Sequence, residues 1–380
     1  MFDYRDSAME CISRISLGVC MKTISMLIKP ASSSCNMSCT YCFYHDVSHH
    51  RSITSYGIMS EEVMHSLIDF SFEEITEDGI IQYAFQGGEP TLAGIAYFVS
   101  FINYVEFKRK KQTIHYAIQT NGLLLDEEWI ALCKQYDILV GISLDGDQSI
   151  HDNLRKDQYK QETFHNVMQR IQLLKKANVR FNILCVLSEQ LSQHPEKVYA
   201  FFKKEKIDYI QFIPCLPHLH AKHKEALQPN SFYRFYKAYF QLWYQDMQKG
   251  SAHSISLFDN IAMMLLDHAP MQCGMLGFCS NQFVVEADGS LYPCDFYVDD
   301  IHRYGNVQQD TIEYVRQSTT LYNFLHEKRN TYKVCATCHY VNLCHGGCKR
   351  MQSTFLTQEY CGYKALLEDI IPYMLSIIKK

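Results

Sequence analysis

Three cysteines, Cys35, Cys39 and Cys42, stand within eight residues in the run CNMSCTYC. Thiolates at C-x3-C-x2-C spacing on one short loop can surround a single metal centre. A structural zinc site wants four protein ligands, and a four-iron cluster also ordinarily takes four cysteines. The local set supplies three. His45, His49 or His50 would complete a zinc knuckle. A cubane held by three thiolates instead leaves one iron open, and an open position on a catalytic metal is where substrate or cofactor binds. Eight further cysteines follow between 273 and 361: Cys273, Cys279, Cys294, Cys335, Cys338, Cys344, Cys348 and Cys361. Eight thiolates divide into two sets of four, and on count alone two [4Fe-4S] clusters or two zinc sites fit them equally. Disulfides are disfavoured, because the N-terminal stretch lacks the basic and apolar regions of a signal peptide and thiols persist in reducing compartments. Of the 16 cysteines, five are then spare: Cys11, Cys20, Cys133, Cys185 and Cys215. Cys133 in a helix-like run and Cys185 in a strand read as core.

The elements that must carry these residues alternate. The chain has 380 residues, 47% hydrophobic and 20% charged, with a formal charge of -5; this is a globular composition with room for two domains. It has no basic excess to favour a nucleic acid and no run of about 18 apolar residues to span a membrane. The expectation is a cytoplasmic protein with neither partner. Six apolar runs at 24–30, 81–85, 114–119, 138–144, 179–187 and 207–213 read as strands buried on both faces. Helix-like segments lie between them at 60–75, 126–136, 163–177 and 194–206, with Ser60 and Asp126 at capping positions and Pro195 in a first turn. Alternation of this kind predicts an α/β fold with parallel strands and right-handed crossovers. Six units are too few for a full eight-stranded barrel, so an open sheet and a partial barrel both fit. In either, active groups gather at the C-terminal ends of strands. Further on, a loop at 214–230 leads to helical segments at 231–250 and 255–268, the segment QFVVEADGSLYP reads as a hairpin turning at Asp288-Gly289, and 363–380 reads as an apolar helix kinked or ended by Pro372.

The expected strand ends hold polar motifs. FQGGEPT places Gly87 and Gly88 where backbone passes close to something, and Glu89 can accept a hydrogen bond from an ammonium group. No Lys follows at the spacing of a phosphate loop; a tight turn closed by Pro90 is the bland reading. Gln119, Thr120, Asn121, Ser143, Asp145 and Arg155 stand at later strand ends, where each is equally a turn residue or surface charge.

With Tyr41 before its last cysteine, the first motif resembles the radical S-adenosylmethionine signature. That resemblance implies that the cofactor's amino and carboxylate groups chelate the fourth iron, and that cleavage of the sulfonium yields a 5′-deoxyadenosyl radical. It implies a partial (β/α)6 barrel, with cofactor contacts at Tyr41, Gln86, Gly87, Gly88, Glu89, Gln119, Ser143 and Arg155. Glu89 would hold the methionyl amino group and Arg155 its carboxylate. The C-terminal spacing, Gly289-x4-Cys294 and then C-x2-C-x5-C-x3-C and a last cysteine, resembles the SPASM domain. This implies two auxiliary [4Fe-4S] clusters, one on Cys273, Cys279, Cys294 and Cys348 and an outer one on Cys335, Cys338, Cys344 and Cys361. With the first cluster that makes three, plus S-adenosylmethionine.

LIKPASSSCNMSCTYCFYH, YGIMS, FQGGEPTLAG, QTNGLLLDEEW, FNILCV, QFVVEADGSLYPCDFYV and CHGGC together are similar to the anaerobic sulfatase-maturating enzymes, over roughly residues 22–375. Membership implies oxidation of a Cys, or in some members a Ser, within a C/S-x-P/A-x-R motif to Cα-formylglycine. Asp295, directly after Cys294, matches the family's catalytic base. The implied partners are an unfolded or nascent sulfatase polypeptide and an electron donor such as flavodoxin or ferredoxin, with the enzyme a monomer. The expected divisions are an N-terminal extension over 1–21, disordered in one reading, a barrel over 22–235, a helical connector over 236–270, a SPASM domain over 271–362 and a C-terminal helix over 363–380. The rival readings are a related peptide-modifying radical enzyme that crosslinks or epimerises, and a zinc-binding scaffold that docks peptides.

Overall fold

The computed structural model describes residues 21–221, 223–328 and 332–378; the expected extension, with Cys11 and Cys20, lies outside them apart from Met21. Six parallel strands form the centre: β1 (Met21–Ile28), β2 (Ile75–Phe85), β3 (Thr113–Thr120), β4 (Leu139–Ser143), β5 (Phe181–Leu187) and β6 (Tyr209–Pro214). Each pairs in parallel with its predecessor in chain order. A short β7 (Ser254–Ile255) adds to the β6 edge.

The strands are not buried equally on both faces, as their apolar runs led us to expect. Ile81, Tyr83 and Phe85 of β2, Ile118 of β3, Val140 and Ile142 of β4 and Cys185 of β5 are buried against helices. The alternate residues Gln82, Ala84, Ala117, Gln119 and Ser143 are half-buried. They line the concave face of a sheet whose ends do not meet, so that face stays partly open to solvent. Asn182 and Gln211 belong to the same set.

The helices follow their capping signals. They include α1 (Phe43–His49), α2 (Glu61–Phe72), α3 (Ile95–Lys108), α4 (Glu127–Gln135), α5 (Gln148–Leu154), α6 (Phe164–Ala177), α7 (Pro195–Lys204), α8 (Pro229–Met247), α9 (Ser256–Leu265) and α10 (Gly362–Ile378), with a two-turn helix at Thr319–His326 and shorter helical turns elsewhere. Ser60 accepts from the Val63 N–H and Asp126 from the Trp129 N–H, which satisfies first-turn donors. Helix α3 was not read from the sequence. Its N-cap is Gly94 without a side-chain cap, and its apolar residues are dense enough to blur the stripe. Pro372 lies inside α10 and does not end it.

The cysteine-rich region is built onto the barrel sheet. Strands β8 (Val284–Val285) and β9 (Ser290–Tyr292) form the expected hairpin, and β10 (Gly305–Asn306) pairs with β9. β8 lies parallel to β1, Leu27 opposite Val284, so ten strands make one sheet in the order β10-β9-β8-β1-β2-β3-β4-β5-β6-β7. The boundary expected at 235/236 falls within α8, while β7, assigned to the connector, pairs with the barrel strand β6. Among the described residues no helix is long and apolar enough to cross a membrane.

Candidate active site

The loop after β1 carries the first three thiols. It is pinned at several points: Ser38 N–H donates to Lys156 O at 2.8 Å and Thr40 N–H to Leu154 O at 3.0 Å. Backbone donors reach two of the sulfurs, from Met37 N to Cys35 Sγ and from His45 N to Cys42 Sγ, each at 3.4 Å. Cys42 thereby caps α1. Asn121 Nδ2 stands 3.9 Å from Cys35 Sγ and donates to Asn36 Oδ1 at 2.7 Å. Burial pushes the Cys35 thiol up to about 12 and that of Cys39 to about 11, and also raises Cys42; neighbouring thiols add to the rise at Cys35 and Cys39. Three desolvated thiols that disfavour one another's ionisation are a poor arrangement for the bare protein and a good one around a cationic core, which reverses that logic. Among the described residues no group of three His, Cys, Asp or Glu side chains converges as for one metal ion. A cubane needs no such convergence, since each thiolate takes its own iron.

The strand ends meet this loop directly. Gly88 N–H donates to Ser32 O and Glu89 N–H to Ser34 O, both at 2.8 Å. A Cβ on Gly88 would sit 2.0 Å from Ser34 O, and one on Gly87, whose φ is +128°, 2.9 Å from Ser32 O. The close approach inferred for these glycines is therefore to the chain just before Cys35. Gln86 N–H donates to Ile28 O at 2.9 Å. Glu89 is fully buried. Its Oε1 accepts from Thr91 N–H, Thr91 Oγ1 and Thr120 Oγ1, and its Oε2 from Asn121 N–H at 2.8 Å. Burial raises this carboxyl while those donors lower it. Oε2 retains acceptor capacity.

Gln119 and Ser143 come together on the concave face, Nε2 to Oγ 3.1 Å. Arg155 is buried, its Nη1 donating to Tyr41 Oη at 2.8 Å; Tyr41 in turn donates to the buried Asp145. The Tyr41 hydroxyl is thus committed to protein groups. Arg155 Nε is buried with no hydrogen-bond partner among the described residues, and the Arg155 charge acts on the Cys39 thiol. An unmatched guanidinium donor beside the cysteine loop fits an anionic group such as a cofactor carboxylate.

In the C-terminal region Cys335, Cys338, Cys344 and Cys361 line one pocket, closed by Val334, Tyr340, Val341 and Leu367. These are the four cysteines that the SPASM resemblance groups as the outer set. Cys294 senses Cys348 and Cys273, and Cys348 packs near Gly274. Cys279 lies on the loop between Cys273 and β8. No disulfide links the described cysteines. Of the spare ones, Cys133, Cys185 and Cys215 are buried in the core.

Asp295, mostly buried, bonds through its N–H to Gln282 Oε1 at 3.3 Å. Its Oδ1 is 2.5 Å from Lys29 Nζ. The Lys29 charge also acts on the Cys42 thiol, so Asp295 and the first cysteine loop share one neighbourhood. Tyr44 lies beside them, its hydroxyl held by Glu286, with Arg51 Nη1 2.7 Å from that carboxylate. Sequence reasoning missed Lys29, Arg51 and Glu286. A lysine ending the apolar run ISMLIKP was a signal for the first, and Glu286 in VVEADG for the third; Arg51 carried none.

A profile described as the radical SAM superfamily matches residues 30–202, and the SPASM profile, described as an iron-sulfur cluster-binding domain, matches residues 275–339. The chain is 41% identical over 334 residues to a cysteine-type anaerobic sulfatase-maturating enzyme of Clostridium novyi (strain NT), covering 87% of this chain and 89% of that protein. Against a serine-type anaerobic sulfatase-maturating enzyme of Bacteroides thetaiotaomicron the identity is 28% over 379 residues, covering 93% and 91%. Among solved structures it is similar to native anSMEcpe with bound AdoMet and Kp18Cys peptide, at a TM-score of 0.86 and 38% identity over 94% of this chain and 99% of that one.

Proposed function

The chain belongs to the anaerobic sulfatase-maturating enzymes of the radical S-adenosylmethionine superfamily, and on that premise we propose that it oxidises a cysteine in a C-x-P/A-x-R sulfatase peptide to Cα-formylglycine. The observation that carries this reading is the shared neighbourhood of the three-thiol loop and Asp295, linked through Lys29. Cysteine is favoured over serine as substrate because identity to the cysteine-type relative, 41%, exceeds that to the serine-type one, 28%.

In this reading Cys35, Cys39 and Cys42 hold one [4Fe-4S] cluster, Cys273, Cys279, Cys294 and Cys348 a second, and Cys335, Cys338, Cys344 and Cys361 a third. Zinc fits less well, since a structural zinc site wants a fourth ligand and the first loop offers three thiols. S-adenosylmethionine, when bound, supplies the 5′-deoxyadenosyl radical that takes a hydrogen atom from the substrate Cβ. The protein's part is to bind and to move a proton. Glu89 Oε2 and Arg155 Nε offer an acceptor and a donor for the methionyl amino and carboxylate groups, while Gly87, Gly88 and Gln86 shape the floor and Gln119, Ser143 and Tyr41 the wall. Asp295 accepts the proton of the substrate thiol. The group that Cys294 would help to hold would supply an acceptor for the one electron the substrate must also lose, and the thioaldehyde left by loss of hydrogen atom, proton and electron would take up water and release sulfide. The peptide lies extended between the concave sheet face and the cysteine-rich region, its backbone open to strand-like pairing. A flavodoxin or ferredoxin supplies the initiating electron to a monomeric enzyme in the cytoplasm, the compartment that keeps such thiols reduced.

The test is anaerobic reconstitution with S-adenosylmethionine, reductant and matched peptides bearing Cys or Ser. The Cys peptide is expected to lose one sulfur and two hydrogens and gain one oxygen, with 5′-deoxyadenosine formed alongside. A product of the Cys peptide lacking only hydrogens, with its sulfur retained, would instead identify a crosslinking enzyme.

A further inference from the structure

Lys29 is the only lysine among the described residues that is buried, at 0% exposure. It follows β1 directly, and its N–H donates to Val285 O at 2.9 Å, so its backbone is fixed by β8. Its stem runs beside Gly87, where an added Cβ would lie 3.2 Å from Lys29 Cβ and Cγ. The ammonium stands 3.7 Å from the centroid of the Tyr44 ring and 2.5 Å from Asp295 Oδ1. The ring is itself immobilised, since the Tyr44 hydroxyl is held by Glu286 and approached by Arg51 Nη1 at 3.4 Å. A desolvated ammonium needs a counter-charge; the aromatic face it packs on is fixed by Glu286 and Arg51, and the Asp295 carboxylate takes its side-chain contact from the ammonium itself. The arrangement leaves the carboxylate little freedom of rotation.

We propose that Lys29 is the positioning residue of the proton-accepting carboxylate: its ammonium holds Asp295 Oδ1 so that Oδ2 is presented to the substrate thiol. The S–H bond breaks and an O–H bond forms at Oδ2, while Lys29 keeps its own proton throughout. This rests on the reading of Asp295 as the base. Lys29 touches neither substrate nor reacting atom; it acts through Asp295.

The experiment uses the full chain reconstituted anaerobically, as Lys29→Met, Lys29→Arg, Asp295→Asn and the double variant Lys29→Met/Asp295→Asn, measuring aldehyde and 5′-deoxyadenosine at varied peptide concentration. Lys29→Met is expected to lower the aldehyde to 5′-deoxyadenosine ratio by about tenfold or more, within the range of a positioned base. The peptide KM should stay within about twofold, the mark of an interaction made in the transition state. Lys29→Arg, which retains a cation, should recover part of the ratio, and the double variant should be no worse than Asp295→Asn. Independently of turnover, the unfolding midpoint should fall in Lys29→Met and in Asp295→Asn, each of which leaves one buried charge unpaired, and recover in the double. If Lys29→Met does not accumulate as folded holoprotein, Lys29→Gln carries the same expectation without the charge. A normal ratio in Lys29→Met beside a failing Asp295→Asn would overturn this inference alone. A further loss when Lys29→Met is added to Asp295→Asn would also overturn it. A normal ratio in Asp295→Asn would overturn the base assignment and this inference with it.

Discussion

Gly88 and Ser34 lie so close that a methyl group on the glycine would sit 2.0 Å from the serine carbonyl oxygen. The two residues belong to different strand ends, and Ser34 immediately precedes Cys35. The glycine is therefore what lets the loop that carries the thiols rest on the end of β2. Gly88→Ala must push Ser33 and Ser34 aside, and with them Cys35. We expect a loss of stability of about 3 kcal/mol, the upper part of the range for overpacking a tight site, with 5′-deoxyadenosine formation falling further than the unfolding midpoint alone explains. Parallel measurement of the two on reconstituted protein checks this; an unchanged rate of cofactor cleavage would show that the contact does not set the thiol loop.

Glu89 braces the same junction from beneath. Its carboxylate ties the end of β2 to Thr120 and Asn121 after β3. Glu89→Gln keeps the shape but turns an amide donor toward the Asn121 N–H or toward the Thr91 and Thr120 hydroxyls. One buried donor then goes unmatched, at a cost of about 2 kcal/mol. Thermal unfolding checks the cost. The affinity for S-adenosylmethionine, read by equilibrium dialysis, should fall as well, since the change also removes the charge that would meet the amino group.

A third expectation concerns pH and a residue outside the three cysteine sets. His253 is buried between α8 and α9, with Nε2 2.8 Å from Tyr239 Oη and rings of Tyr199 and Tyr239 beside it. Burial holds its pKa down to about 4, against an ordinary 6.5, although Asp246 and Asp208 oppose the shift. Above pH 6.5 the ring is neutral in folded and unfolded chains alike and contributes no pH dependence. As pH falls from 6.5 toward 4 the unfolded chain takes up a proton that the folded one refuses, so stability drops by up to about 3 kcal/mol across that window. His253→Gln should flatten the unfolding midpoint over this range relative to the unaltered protein. Parallel curves for the two would contradict the assignment.

Much of this architecture was legible in the residues. The capping residues Ser60 and Asp126 marked two helix starts, whereas the grouping of Cys335, Cys338, Cys344 and Cys361, which line one pocket, came from the family resemblance and not from their spacing. The start of β2 was read late, at 81 and not 75, because Glu77 and Asp78 interrupt the apolar pattern where its pairing with β1 shifts register, between the pairs Met21–Ile75 and Thr23–Ile80. The alternate faces of the strands could not be told apart, since an open concave face tolerates Ala, Leu and Gln as readily as Ser. The Lys29–Asp295 pair, 266 residues apart in sequence, has no local signature; it exists because β8 docks on β1. Pairings made across a sheet edge of this kind follow from topology, and no window of sequence contains them.

The most direct test of the account is Cys35→Ala/Cys39→Ala/Cys42→Ala in the full chain, reconstituted beside the unaltered protein. We predict iron falling from about twelve to about eight per chain, one cubane of four, with 5′-deoxyadenosine formation abolished. Cofactor cleavage persisting in the triple variant, or zinc in place of the missing iron in the unaltered protein, would contradict it.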